Sequence, residues 1–210
     1  MENQRPTASI IFPEQYGEAA RALGRAFIDD PPIRVVLPEP HDPVERARLL
    51  TIFFEAILGI QRGSGEPVIG VVIENKVVGA AIVEGAGAAS IGNMLMHGIA
   101  RVPGLIRSVG WAGMVRGIRL QGELLNHHPR EPHLYLNFLG VDPDYQRHHC
   151  GSAILDELKR LAALRSSLSG VYLETGTEQN VAYYTSRGYE ILGELRPLDC
   201  RMWRMLQRRR

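Results

Sequence analysis

The stretch LGVDPDYQRHHCGSAIL, residues 139–155, joins an apolar run to a helix through a polar loop that contains a proline. Leucines and aromatics crowd residues 134–141, a segment of strand length. Asp142-Pro143-Asp144 stops it, because proline has no amide hydrogen and a fixed φ. From Ser152 the apolar spacing turns helical, with Ile154, Leu155, Leu158, Leu161 and Ala162 three or four residues apart. The amides of residues 147–152 therefore fall at a helix N-terminus, where unpaired N–H groups and the macrodipole attract anions. A pyrophosphate fits over such a strand-loop-helix, against Arg147, His148, His149, Cys150, Gly151 and Ser152.

Outward from this stretch the chain alternates strand and helix signals. Residues 7–12 read as a first strand, followed by a helix with one apolar face of Tyr16, Ala19, Ala20, Leu23, Ala26 and Phe27, ended by Asp29-Asp30-Pro31-Pro32. A second helix is predicted over 43–60, with Asp42 as its N-cap and an exit at 63–65. The β-rich segments PVIGVVIE and VVGAAIVE flank Asn75-Lys76 and predict a hairpin. Later in the chain, 170–175 reads as a strand, 180–187 as a short helix stopped by Gly188, and 189–195 with 200–206 as the last two strands. Residues 85–126 carry Gly and Ala, then Met, Leu, Ile, Trp and four arginines at spacings suited to amphipathic helices. Docking on a membrane surface is one use of such helices. The arginines interrupt the apolar runs, however, so helices covering a sheet or a substrate cavity are the preferred reading.

At 210 residues, 45% hydrophobic and 22% charged, the chain suits one globular domain over 1–210, without repeat or linker. A net charge of +1 provides no field for nucleic acid, and the terminal arginines at 208–210 read as a solvated tail. Cys150 and Cys200 are the only cysteines, no signal-peptide pattern opens the chain, and no apolar run approaches the roughly 20 residues that cross a bilayer. A cytoplasmic protein with no membrane partner is expected, and nothing argues against a homodimer. His127, His128, His133, His148, His149 and Cys150 raise a metal reading. Their spacing argues against it: neighbours on the chain diverge, and no C-x-x-C or H-x-x-x-H unit recurs.

Gln146 to Gly151 resembles the acyl-CoA-binding signature of the GNAT superfamily, Gln-x-x-Gly-x-Gly/Ala, with His149 in place of its middle glycine. NVAYYTSRGYE, residues 180–190, resembles a second family pattern through Asn180, Tyr184, Gly188 and Tyr189. AFIDDPPIRVVLPEP, HHPREPHLYLNFLGVDPDYQ and the closing MWRML extend the likeness over nearly the whole chain, toward the puromycin N-acetyltransferase group and related actinobacterial-type acetyltransferases. The resemblance implies an α/β fold: a mixed, mostly antiparallel sheet with a splayed parallel strand pair at the acyl-CoA site, flanked by helices. It also implies transfer of an acetyl group from acetyl-CoA, without a metal, directly to the amine of a small molecule. The segment 85–126, least specific in its match, would serve the substrate side.

Such a transfer needs a grip on the thioester, an acid for the departing thiolate and a neutral amine. The resemblance implies that backbone groups of Leu139, Gly140 and Val141 hold the pantetheine arm as an added strand would. It implies that Tyr184 is the acid, a phenol being a proton donor at neutral pH, and that Asn180 contacts the cofactor; capping the short helix is the alternative for Asn180. Tyr183 is expected to pack. For the base, Glu174 at a strand end and His133 at the head of the motif strand are candidates, as is an ordered water. Tyr135 and Asn137 alternate with His133 and are expected to line the acceptor site, with Trp111 and Met114, beside Met94 and Met96, as its apolar wall. Two other functions remain open: a CoA-binding module without catalysis, kept in view by His149, and acetylation of a protein or peptide amine.

Overall fold

The computed structural model describes residues 5–64, 66–85 and 101–209. Its strands are β1 (Ala8–Ile11), β2 (Val68–Ile73), β3 (Lys76–Glu84), β4 (Leu134–Val141), β5 (Gly170–Thr175), β6 (Glu190–Leu195) and β7 (Met202–Arg208). The helices are α1 (Tyr16–Ala26), α2 (Pro31–Val36), α3 (Pro43–Ser64), α4 (Val102–Leu125), α5 (Cys150–Leu164) and α6 (Glu178–Ser186). All seven strands share one sheet in the order β1-β2-β3-β4-β5-β7-β6. Every neighbouring pair is antiparallel except β4 and β5.

Local sequence explains most elements. The β2–β3 turn is Glu74-Asn75 with φ of 49° and 61°, the two positive values that let a two-residue loop follow the twist of a hairpin. Asp42 Oδ2 accepts from the Glu45 amide at 2.9 Å and caps α3, which runs four residues beyond the expected 60. The short helix α2 stands where only a helix stop is expected. Pro31 and Pro32 occupy its first two positions and bring no N–H groups, so the Ile33 amide is the one donor of those three positions; Asp30 Oδ1 accepts it at 3.1 Å. Helix α4 is broken at Gly110, whose φ of 69° and ψ of 172° are not helical. The rest of the expected 85–126 helical segment, residues 86–100 with Met94 and Met96, lies outside the described residues.

Alternation along the strands buries two faces, as expected for a sheet covered on both sides. On one face Leu134, Leu136, Val171, Leu173 and Met205 meet α5 and α6 through Ile154, Leu158 and Tyr184. On the other, Val68, Val77, Ala80 and Ile82 meet α1 and α3 through Ala19, Leu23, Phe54 and Leu58. Helices α2 and α4 extend that cover through Val36, Leu120 and Leu124, which pack on Cys200 and Met202.

The joint between β4 and β5 is short. Only Leu134, Tyr135 and Leu136 pair with β5, opposite Val171, Tyr172 and Leu173. On its other side β4 stays paired with β3 through to Val141, with a register shift that leaves Asn137 as an extra residue between Leu136 and Phe138. A bulge of this kind bends its strand and flips the side-chain alternation. Beyond it Phe138 packs toward α1 and α3 while Leu139 and Val141 face α5. The sheet thus splays where β4 parts from β5.

Candidate active site

The loop after β4 is built as the sequence predicts, with one addition. Gln146 to His149 are exposed, and the Gln146 side chain donates back to the Val141 carbonyl at 3.3 Å. His149 takes φ 63° and ψ 10° and is the N-cap of α5, without a side-chain bond to the helix. It adopts the left-handed conformation that glycine takes readily, in the place where the motif has glycine. No side chain caps the first-turn amides of α5, so they stay open to an anion. His148 donates through Nδ1 to the Gln146 carbonyl at 2.9 Å. Cys150 is buried, and burial pushes its thiol up, as suits a small core residue and not a nucleophile. Ser152 Oγ meets the Tyr183 hydroxyl at 3.4 Å and the Arg187 guanidinium. Arg187, which the sequence analysis does not single out, brings a cation to this helix end.

Leu139, Gly140 and Val141 lie on the stretch of β4 that no longer pairs with β5. Gly140 sits against α1: a Cβ there would lie 2.8 Å from Ala26 Cβ and 3.0 Å from Leu23 Cδ2. Glycine at this point lets the strand press against the helix. Asn180 is exposed on the first turn of α6, and the cap of that helix is Thr177, whose Oγ1 accepts from the Asn180 amide at 3.2 Å. The capping alternative for Asn180 is therefore corrected.

Tyr184 points from α6 into the core near the splay, 8% exposed, its ring 5.4 Å from that of Tyr189 and 5.5 Å from that of Tyr183. Burial first, then Tyr183 and Asp30, hold its hydroxyl pKa well above the usual 10. It stays a proton donor at neutral pH. Asp30 is drawn into the same neighbourhood because α2 begins on the exit of β5. A Cβ on Gly176 would lie 2.6 Å from Pro32 Cδ. Burial raises the Asp30 carboxyl to about 6, against the single backbone hydrogen bond from Ile33.

The opposite face of the splay holds a polar cluster that the β4 register assembles. Tyr135 lies beside Glu84 on β3 and Tyr172 on β5, so Glu84, Tyr135, Tyr172 and Glu174 share one face. Asn137, in the bulge, donates to Glu84 Oε1 at 2.6 Å. Tyr172 donates to Glu174 Oε1 at 2.6 Å, and the Glu174 side chain is 2% exposed. His128 and His133 close the cluster from the loop before β4, with the His128 ring set edge-on 4.5 Å from that of Tyr135 and tilted 4.8 Å from that of Tyr172.

Hydrogen-bond roles follow around the two rings. His133 Nδ1 lies 2.8 Å from the Glu131 carbonyl, which can only accept, so that nitrogen carries a hydrogen. Burial keeps the His133 pKa below its usual 6.5, so the ring is neutral at pH 7 and its Nε2 accepts from His128 Nδ1 at 3.3 Å. His128 Nε2 is then left facing Glu174 Oε1 at 3.5 Å, with no hydrogen-bond partner among the described residues. Burial, then Asn137, His128 and Glu174, act on Glu84, with a net rise of its carboxyl pKa.

The structure thus brings together Glu174, His133, Tyr135 and Asn137 and adds His128, Tyr172 and Glu84. His128 carried a sequence signal only as one of a histidine group; Glu84 and Tyr172 enter through register alone. Trp111 is 68% exposed and stands with Val115 and Ile118 on an outward stripe of α4, while Met114 is half-buried. Although His128 and His133 meet, among the described residues no group of three or more His, Cys, Asp or Glu is placed to hold a metal ion.

A mixed seven-stranded sheet that opens at its one parallel pair, with a helix N-terminus at the opening and helices on both faces, is an α/β arrangement of GNAT type. The profile of the Acetyltransferase (GNAT) family matches residues 28–189, and the chain belongs to that family. Solved structures with the same fold include a Corynebacterium glutamicum protein described as histone acetyltransferase HPA2 and related acetyltransferase (TM-score 0.72, 20% identity, covering 99% of this chain and 98% of that one). Arylalkylamine N-acetyltransferase 2 of Aedes aegypti is similar over 99% of this chain and 100% of that one (TM-score 0.62, 12% identity). So is the polyamine N-acetyltransferase of Drosophila melanogaster, over 97% and 99% (TM-score 0.62, 13% identity). Among the described residues no helix is long and apolar enough to cross a membrane.

Proposed function

We propose that the chain is an acetyl-CoA-dependent N-acetyltransferase that acts by direct transfer on the amine of a small molecule, in the cytoplasm. The observation that carries this reading is the splay: β4 beyond Leu136 no longer pairs with β5, with Tyr184 packed on one face of the sheet and Glu174 with His128 on the other. The open amides of α5 and Arg187 suit the pyrophosphate, and Leu139 to Val141 suit the pantetheine arm. Acetyl-CoA supplies the activated acyl group. Glu174, its Oε1 held by Tyr172, and His128, oriented by His133, take the proton of the attacking amine; Tyr184 returns one to the departing thiolate.

The carboxylates of Glu84 and Glu174 with the four rings of Tyr135, Tyr172, His128 and His133 favour an amine attached to an apolar or aromatic body, in keeping with the resemblance to the puromycin N-acetyltransferase group. The test is thiol release from acetyl-CoA across a panel of amines that includes aminonucleosides, arylalkylamines, polyamines and peptides. Turnover of one small amine that falls steeply in Glu174→Gln supports the reading. Acetyl-CoA binding without turnover of any amine would return the chain to the non-catalytic alternative, and turnover confined to peptides would replace the substrate class.

A further inference from the structure

A cavity of about 360 Å³ lies on the α1, α2 and α3 side of the loop after β4. Its lining includes Arg25, Asp29, Arg34, His41, Arg46 and Gln146, so three guanidinium groups face one carboxylate. Most of these charges are already matched. Arg25 lies 3.0 Å from both Asp142 and Asp144, Arg34 lies 2.5 Å from Asp29, and His41 lies 2.9 Å from Glu39.

Arg46 is not matched. It is 1% exposed, and its Nε and Nη1 donate only to neutral carbonyls, those of Ile28 at 2.8 Å and of Pro38 and Pro40 at 3.3 Å. Its Nη2 is buried and has no hydrogen-bond partner among the described residues. Burial, then Arg34, disfavour its charge and outweigh the more distant Asp29 and Glu39, yet a guanidinium does not give up its proton in a protein. A buried cation with no carboxylate in direct contact and with an unused donor is among the least favourable arrangements in a folded chain. An oxyanion on Nη2 would supply a directly bonded negative charge and the missing acceptor, and arginine is the side chain best shaped for phosphate oxygens.

We propose that this cavity is a second oxyanion site, distinct from the amides of α5, which takes a phosphate group on Arg46 with Arg34 beside it. Gln146 and Pro143 place its rim on the loop that carries the pyrophosphate site. The phosphate therefore comes either from the 3′-phosphate of bound CoA or from a free phosphate. The first source rests on the proposed function; the site itself does not.

The experiment titrates the protein with inorganic phosphate in the absence of CoA, by thermal shift, and with CoA and 3′-dephospho-CoA by calorimetry. The variants are Arg46→Gln and the half-exposed Arg34→Gln, which leaves the loop contacts of Arg46 in place. If the site takes free phosphate, inorganic phosphate stabilises the wild type, about tenfold more of it is needed in Arg34→Gln, and CoA and 3′-dephospho-CoA bind alike. If the 3′-phosphate is the occupant, CoA binds about tenfold tighter than 3′-dephospho-CoA, and the ratio falls toward one in both variants. Equal binding of the two nucleotides, with a phosphate response that is absent or identical in wild type and Arg34→Gln, overturns the proposal and leaves Arg46 as a staple of the 38–40 loop. Loss of all CoA binding in the wild type sinks the acetyltransferase reading and leaves the phosphate arm to judge the site.

Discussion

Replacing Asp30 by Asn should stabilise the protein at neutral pH. The carboxyl caps α2 through one bond to the Ile33 amide, and burial beside Tyr184 raises it from the ordinary 3.8 to about 6. A folded pKa above the unfolded one means that the folded state holds the proton more tightly. Its contribution to stability is fully present below pH 3.8 and is lost as pH rises through about 6. A difference of roughly two in pKa amounts to about 3 kcal/mol at pH 8. Asparagine offers the same Oδ1 to Ile33 and caps as well as aspartate, so Asp30→Asn removes the buried charge and keeps the bond. Urea unfolding at pH 8 should show the variant more stable by about 3 kcal/mol, with Tm raised by roughly 6–12 °C. At pH 4 the two proteins should coincide. A variant no more stable at pH 8, or one whose gain is the same at both pH values, would refute the argument.

Four further substitutions test other parts of the site. Tyr184→Phe should lower kcat by about 10²–10⁴-fold with little change in acetyl-CoA affinity, while Tyr183→Phe, which loses only a 3.4 Å contact with Ser152, should act mainly on stability. His149→Gly removes a left-handed conformation that costs about 1–2 kcal/mol for a residue with a Cβ, against about 0.5–1 kcal/mol of glycine entropy, and should be stabilising by up to about 1.5 kcal/mol. Tighter acetyl-CoA binding in that variant, measured by calorimetry, would show that the imidazole crowds the loop; a clear loss of stability would mean that it makes a contact worth more than the strain. Gly140→Ala places a methyl 2.8–3.0 Å from Ala26, Leu23 and Phe27 of the α1 region and should destabilise by about 1–3 kcal/mol in urea. Unchanged stability would mean that α1 retreats freely from β4.

What the sequence determined by itself is local. The β2–β3 hairpin, β4 with its proline stop, α5 with its anion-binding end, β5, and α6 closed by Gly188 at φ 84° all follow from periodicity, turn residues and caps within a few positions. Even the departure at His149 was visible as a missing glycine, and its left-handed φ is the local consequence. Helix α2 shows the limit of such signals: Pro-Pro reads as a stop until the Asp30 cap is counted, when it becomes a helix start.

What tertiary structure decided is which distant groups meet. Register between β3 and β4, shifted at Asn137, sets Glu84 beside Asn137 across 53 residues of chain, and the parallel pairing of Tyr135 with Tyr172 brings Glu174 under His128. One residue of slip would turn the whole set to the other face, and no pattern along a single strand encodes that choice. Arg46 reads in sequence as one more helix arginine. It becomes a buried cation only because Ile28, Pro38 and Pro40 fold around it, since burial and charge balance are properties of the packed neighbourhood.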